Sequence, residues 1–228
     1  MTGTTEIPPP PWRRPKKTAR QRRPLSQELI VDTAMGVLDA EGFDALSMRR
    51  VALDLRTGPA SLYAHVANKD ELLELMIDRI VGEMEMPAPD PARWQEQIVE
   101  SAIAAHRVWA KHPGIARAAL ANVPVGPNSL RYSEALLAIL RAGGVPDQQA
   151  GWFVDRVSLY VLADAFEASL HQEHGRRTEE DAHAYFESLP PDRFPVITSM
   201  VGALIGGDGD ERLRFGLELM VRGLASYV

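Results

Sequence analysis

Thr57-Gly58-Pro59-Ala60-Ser61-Leu62-Tyr63-Ala64-His65-Val66-Ala67-Asn68-Lys69-Asp70-Glu71-Leu72-Leu73 is the stretch whose reading decides the fold. Its opening Thr57-Gly58-Pro59 breaks the pattern before it, and Pro59 suits the first position of a helix, where the missing N–H would have no partner anyway. Leu62 and Val66, one turn apart, are the inward anchors of that helix, with Ser61, Tyr63, Ala64 and His65 on or near its outer face. A helix from Pro59 to about Val66 is too short to stand alone in water, so other elements must pack it. Asn68, with Glu71 three residues on, predicts a capping box for a longer helix running to about Met84 through Leu72, Leu73, Met76, Ile77, Ile80 and Val81.

Upstream, Ser47 caps a short helix carrying Met48, Val51, Ala52 and Leu55. Ser26 caps a longer one whose Ile30, Ala34, Val37 and Leu38 form one apolar stripe, stopped at Gly42. One longer helix, then two short ones across a tight turn, is helix-turn-helix spacing. The string Leu62 to Leu73, with Leu46-Ser47-Met48-Arg49-Arg50-Val51-Ala52 before it, resembles the DNA-binding domain of the tetracycline-repressor (TetR) family over about residues 25 to 82. It departs at Arg56 and Gly58, where that family more often has a glycine at the turn start and a polar residue on the groove side.

The resemblance implies a DNA-contacting set of Ser47, Met48, Arg49, Thr57, Gly58, Pro59, Ala60, Ser61, Tyr63, His65 and Lys69. Within it, Tyr63 and Lys69 look like phosphate contacts, and Ser47 and Arg49 lie where the second helix touches backbone or a base. Pro59, Ala60 and Ser61 have small surfaces able to meet a thymine methyl. His65 reads two ways, as a phosphate contact or as a packed ring at the helix end.

The chain has 228 residues, 45% of them hydrophobic and 25% charged, which excludes wholesale disorder. Cysteine is absent, so there is no disulfide framework, thiolate metal site or cysteine nucleophile. No uninterrupted apolar run is long enough to span a membrane, and the N-terminus lacks the apolar region of a secretory signal; a cytoplasmic protein is expected. The net charge of −6 is uneven. Residues 1–24 carry Arg13, Arg14, Lys16, Lys17, Arg20, Arg22 and Arg23 against Glu6 alone, and their prolines predict an extended, mobile arm. Residues 25–69 hold four basic side chains against six acidic ones, so the arm is expected to supply much of the electrostatic attraction to DNA, lying in an adjacent minor groove.

Pro87, Pro89 and Pro91 mark a joint. Beyond it, helical patterns cover roughly 91–111, 114–121, 127–142, 146–173, 179–189, 192–205 and 210–227. The expected architecture is all-α: arm 1–24, helix-turn-helix domain 25–69, connecting helix 70–86, and an effector-binding and dimerisation domain 87–228. Trp152, Phe153, Val157, Tyr160, Val161, Leu162 and Phe166 point around more than half of their helix. The last helix has a stripe of Leu213, Leu217, Met220, Val221 and Leu224, with Phe215 and Leu219 elsewhere and Gly216 and Gly223 open to close approach. These two helices predict a two-fold dimer, which would set two recognition helices about 34 Å apart on successive major grooves.

A small-molecule effector site is expected among Trp94, His106, Trp109, Tyr132, Trp152, Tyr160, Asp164 and Phe166, a mix of rings with few polar groups. No metal or cofactor is expected: His171 and His174 beside Glu173 lack a third convergent ligand and read as a solvated helix end. The expected partners are an operator in double-stranded DNA, a second copy of the chain and an effector, which makes it a ligand-released repressor. The alternatives are a helical small-molecule enzyme, disfavoured by the absence of any Ser/His/Asp order, phosphate loop or HExxH, and an architectural DNA protein without effector.

Overall fold

The computed structural model describes residues 24–112, 114–174 and 179–228, without the side chains of 169–174 and 179. The basic arm and the His171/Glu173/His174 side chains therefore lie outside the described residues. Every regular element among the described residues is helical.

The head is built from α1 (Gln27–Glu41), a 3-10 turn at Phe43–Ala45, α2 (Met48–Asp54) and α3 (Pro59–Leu62). Both expected caps form: the Ser26 hydroxyl accepts from Leu29 N, and the Ser47 hydroxyl from Arg50 N. Ile30, Ala34, Val37, Leu38, Leu46, Val51, Ala52, Leu62 and Val66 close the core between them. The recognition segment is shorter as an α-helix than its pattern predicts. After Leu62 it tightens, with both His65 N and Val66 N donating to Leu62 O, so the last turn to Val66 is irregular. No carboxylate or hydroxyl caps its start, because Gly58 is the N-cap residue.

Arg56 departs from the family pattern, and the backbone shows the consequence. Thr57 N donates to Ala52 O and Arg56 N to Leu53 O, the two bonds of a Schellman cap, with Arg56 at the left-handed position (φ 51°). Glycine takes that conformation without steric cost. Replacing Arg56 by Gly is expected to raise the head's stability by about 0.5–1 kcal/mol. It also removes an exposed cation, so the slope of log affinity for DNA against log salt should fall by about one. A melting point below that of the parent would contradict the left-handed assignment.

The connecting helix α4 (Lys69–Val81) begins with the Asn68 side chain accepting from Glu71 N. The reciprocal half of the expected box is displaced by one residue, because the Glu71 carboxylate accepts from Ala67 N rather than from Asn68 N. The body consists of α5 (Trp94–Ala110), α6 (Ile115–Leu120), α7 (Pro127–Ala142), α8 (Asp147–His174), α9 (Glu179–Glu187), α10 (Pro195–Ser199), α11 (Val201–Ile205) and α12 (Gly209–Ala225). The pattern read as one helix over 192–205 is two, interrupted at Met200. Asp208 and Glu211 form the full capping box at the start of α12. Helix α8 runs through the middle of the body against α5, α6, α7 and α12.

Among the described residues, these contacts tie the head to α4 and to the segments beyond it. Arg79 pairs with Asp32 of α1 at 3.0 Å. Gly114 takes a left-handed conformation (φ 82°) against Phe43, whose Cβ would lie 2.7 Å from any Cβ at that position. His112, largely buried, stands between Asp39 at the end of α1 (Nδ1 to Oδ1, 3.2 Å) and Glu83 just beyond α4 (Nε2 to Oε1, 3.4 Å).

Candidate nucleic-acid interface and ligand cavity

The outward face of the head carries most of the predicted DNA set. Pro59, Ala60, Ser61, Tyr63 and His65 are exposed, Tyr63 by 51%, while Leu62 beneath them is fully buried. His65 donates nothing to the core; its carbonyl accepts from Gln27 Nε2 at 3.4 Å, and the packed-ring reading of this residue falls away. Met48 does not belong to the outward set. It is buried in the head core, where its side chain braces α2 rather than reaching outward.

The adjacent arginines divide their labour. Arg50 is committed to the fold: its Nε lies 3.0 Å from both Glu41 carboxylate oxygens, and its Nη1 is 2.5 Å from Asp54. These bonds push the guanidinium pKa up, and through them Arg50 holds the Glu41 carboxyl below the usual carboxylate range. Arg49 is exposed and makes no ion pair among the described residues, which leaves it available to a phosphate or a base edge. Lys69 is half-buried at the first position of α4, with Nζ 5.3 Å from the Phe43 ring centroid. The ring fixes that ammonium at the edge of the same face. Thr57 is half-buried and Gly58 exposed at the turn, and Ser47 keeps its hydroxyl proton free while its oxygen caps α2.

A second feature lies in the body. A cavity of about 490 Å³ opens between α4, α5, α6, the 121–126 loop, α7 and α8. Its α4 wall comprises Glu71, Glu74, Leu75, Ile77, Asp78 and Val81, residues of the same helix that begins in the head. Of the residues expected at an effector site, Trp109 and Tyr132 line it. Burial raises the Tyr132 phenol to about 12, so it stays a neutral donor, 3.2 Å from Ser101 O.

The other expected ligand residues stand elsewhere. Trp94 is buried against Gly143, where a Cβ would run into its ring. Trp152 is 64% exposed on α8. The Tyr160 hydroxyl packs over Gly216, so the close approach predicted for that glycine is used within the chain, between α8 and α12; Gly223 has open space. His106 and Asp164 face each other at 2.8 Å between α5 and α8, but the ring nitrogen makes no aligned hydrogen bond, so the contact is chiefly coulombic. Burial raises the Asp164 carboxyl despite His106. Phe166 is half-buried against the core and does not line the cavity.

The cavity depends on a junction that the sequence did not reveal. Asp78, buried on α4, caps the start of α7 across the fold: it accepts from Ser129 N at 2.9 Å, Ser129 Oγ at 3.1 Å and Asn128 Nδ2 at 3.0 Å. Gly126 leaves room for it, since a Cβ there would run into the Asp78 carboxylate. Asp78, Gly126 and Ser129 all line the cavity, so its contents touch the bond between α4 and α7.

Comparison with known proteins bears on both features. The family model for the bacterial regulatory proteins of the tetR family matches residues 30–76, and that for the tetracyclin repressor-like C-terminal domain matches residues 86–228. An HTH-type transcriptional regulator of Saccharopolyspora erythraea is 32% identical, over 99% of this chain and 95% of the relative. The HTH-type transcriptional repressor DrrR1 of Streptomyces coeruleorubidus is 31% identical, over 95% and 84%. Among solved structures, Streptomyces coelicolor ActR in complex with actinorhodin superposes with a TM-score of 0.83 at 44% identity, covering 89% of this chain and 96% of that one.

Proposed function

Because the chain belongs to the tetracycline-repressor family of transcriptional regulators, we propose that it acts as a homodimeric repressor released from its operator when a small molecule fills the body cavity. The observation that carries this reading is that one helix, α4, starts beside the recognition segment and also forms a wall of the cavity. The relative ActR, solved with actinorhodin bound, supports an effector-responsive role. We read the protein as a binding protein, consistent with relatives named transcriptional regulators.

The proposed DNA contacts follow from exposure and chemistry. Ser61, Ala60 and Pro59 meet the groove floor, and Arg49, Tyr63 and Lys69 hold phosphates, with Ser47 and His65 at the margins. In the dimer, α8 and α12 of each copy pack together through the exposed Trp152, Phe215 and Leu219.

Effector control requires two states. To move the population from nearly all DNA-competent to nearly all incompetent, the effector must prefer one state by about 10⁴-fold, or roughly 5.5 kcal/mol. A ligand wedged against Asp78, Gly126 and Ser129 changes the α4–α7 junction, and α4 carries the change to Lys69.

The head tests this reading through DNA affinity. Tyr63→Ala should leave the fold intact, since the ring is half exposed, and weaken binding to every duplex sequence by about tenfold. Deleting residues 1–22 removes six of the seven arm cations, all but Arg23, and should flatten the slope of log affinity against log salt. An unchanged slope would assign the electrostatic attraction to the head alone.

A further inference from the structure

The charge and the hydrogen-bonding sense of the cavity wall specify what enters it. The ionisable groups along the wall, other than the neutral Tyr132 phenol, are Glu71, Glu74, Asp78 and Asp155; no Lys, Arg or His among the described residues lines it. Two of the four are already spent, Asp78 on the start of α7 and Glu71 on Ala67 N. Glu74 of α4 is exposed and makes no ion pair or hydrogen bond among the described residues. Asp155 of α8 is exposed and, among the described residues, pairs with its neighbour Arg156.

The neutral wall groups point the same way, independently of these charges. Ser129 donates its hydroxyl to Asp78, Tyr132 to Ser101 O, and Ser158 to Val154 O at 2.7 Å, while Asn122 gives an N–H to Ala118 O at 2.9 Å. Four side-chain donors of the wall are thus spent within the protein, leaving the Ser133 hydroxyl and the Trp109 indole N–H beside the four carboxylates. A carboxylate entering it would lose its water with no cation and few donors to replace it. A protonated amine would meet acceptors and carboxylates, and the apolar remainder would meet Trp109, Ile98, Leu136 and Val161.

We propose that the effector is a largely apolar molecule bearing a protonated amine, its body inside the cavity and its ammonium at the mouth between Glu74 and Asp155. This rests on the effector reading of the cavity given above and adds the chemical class. Exposed carboxylates attract modestly one at a time. Selectivity therefore comes from two of them together with the desolvation that an anion suffers.

Calorimetric titration of the full chain with three probes of one ring size tests the class. The probes are 2-(aminomethyl)anthraquinone, anthraquinone-2-carboxamide and anthraquinone-2-carboxylate. The expected order of affinity is amine, then amide, then carboxylate, with at least about tenfold between the first and the last. The Glu74→Gln, Asp155→Asn double variant, altered only at exposed positions, should narrow that gap by lowering the affinity for the amine and raising that for the carboxylate. A carboxylate bound as tightly as the amine, or a gap the double variant leaves untouched, overturns the class while leaving the cavity an effector site. Failure of all three probes to bind overturns the effector reading itself and this inference with it.

Discussion

A chain carrying Phe215→Glu and Leu219→Glu is expected to remain helical, to sediment as single protomers and to lose at least about 100-fold in affinity for an operator duplex. The argument starts from α12, whose inward stripe of Leu213, Leu217, Val221 and Leu224 is buried while Phe215 and Leu219 are 66% and 51% exposed. Large apolar side chains exposed on a helix whose other face is already in the core suit the surface proposed for a second copy. Trp152 extends the same character onto α8. Because both residues are outside the core, the substitutions spare the protomer's own packing, but in a two-fold interface each carboxylate is introduced twice. The DNA effect follows from linkage: a second head held near its half-site binds at high local concentration, and a separated protomer forfeits that gain. Sedimentation velocity and fluorescence anisotropy on one duplex provide both readouts. A double variant that stays dimeric would place the interface on another face.

The second large effect is expected inside the fold. Asp78→Ala should destabilise the protein by about 3 kcal/mol, because it leaves the buried Ser129 N–H at the first turn of α7 without an acceptor and removes a charged cap. For a chain of this size that corresponds to a melting point lower by roughly 6–12 °C. Asp78→Asn keeps one acceptor oxygen and should lose less. The variant that survives should also respond less to effector, since the junction it breaks is the one the cavity contents touch. A melting point within about 2 °C of the parent would show that solvent satisfies the start of α7 and that the junction is not a strut.

Much of the helical architecture was legible because its signals are local. Ser26, Ser47, Asn68 and Asp208 are caps that announce themselves within four residues, and each accepts from the backbone N–H that its position requires. The apolar stripes of α1, α4 and α12 repeat at helical spacing and are buried, Met220 of α12 only partly. Where the reading failed, side-chain periodicity did not carry the deciding contact. The recognition segment has the periodicity of a two-turn helix, yet its last turn tightens as the chain turns toward Asn68. Met48 stands at a position that the family resemblance assigned to DNA, but the apolar run Met48, Val51, Ala52 and Leu55 places it on the inward face, where the packing of α2 on α1 buries it.

The cavity was the least legible part. A Trp or a Tyr has no sequence signature that separates a core ring from a wall ring, so Trp109 and Tyr132 could not be told from Trp94 or Tyr160. The Asp78 cap spans some 50 residues and resembles an ordinary solvated acid on α4 until α7 is brought to it. One signal was available: Gly126-Pro127 opens a helix with no side-chain cap of its own, which asks for an acceptor from elsewhere.

The claim on which the rest depends is that two copies act together on DNA, each presenting the short buttressed segment around Ser61 and Tyr63 to its own stretch of major groove. Selecting bound duplexes from a random-sequence library and measuring the mass of the complex on the enriched site tests it most directly. The account predicts an inverted repeat with half-sites about 10 base pairs apart, or a multiple of that, carrying two protomers or a multiple of two. Single chains in solution and no enriched sequence would contradict it.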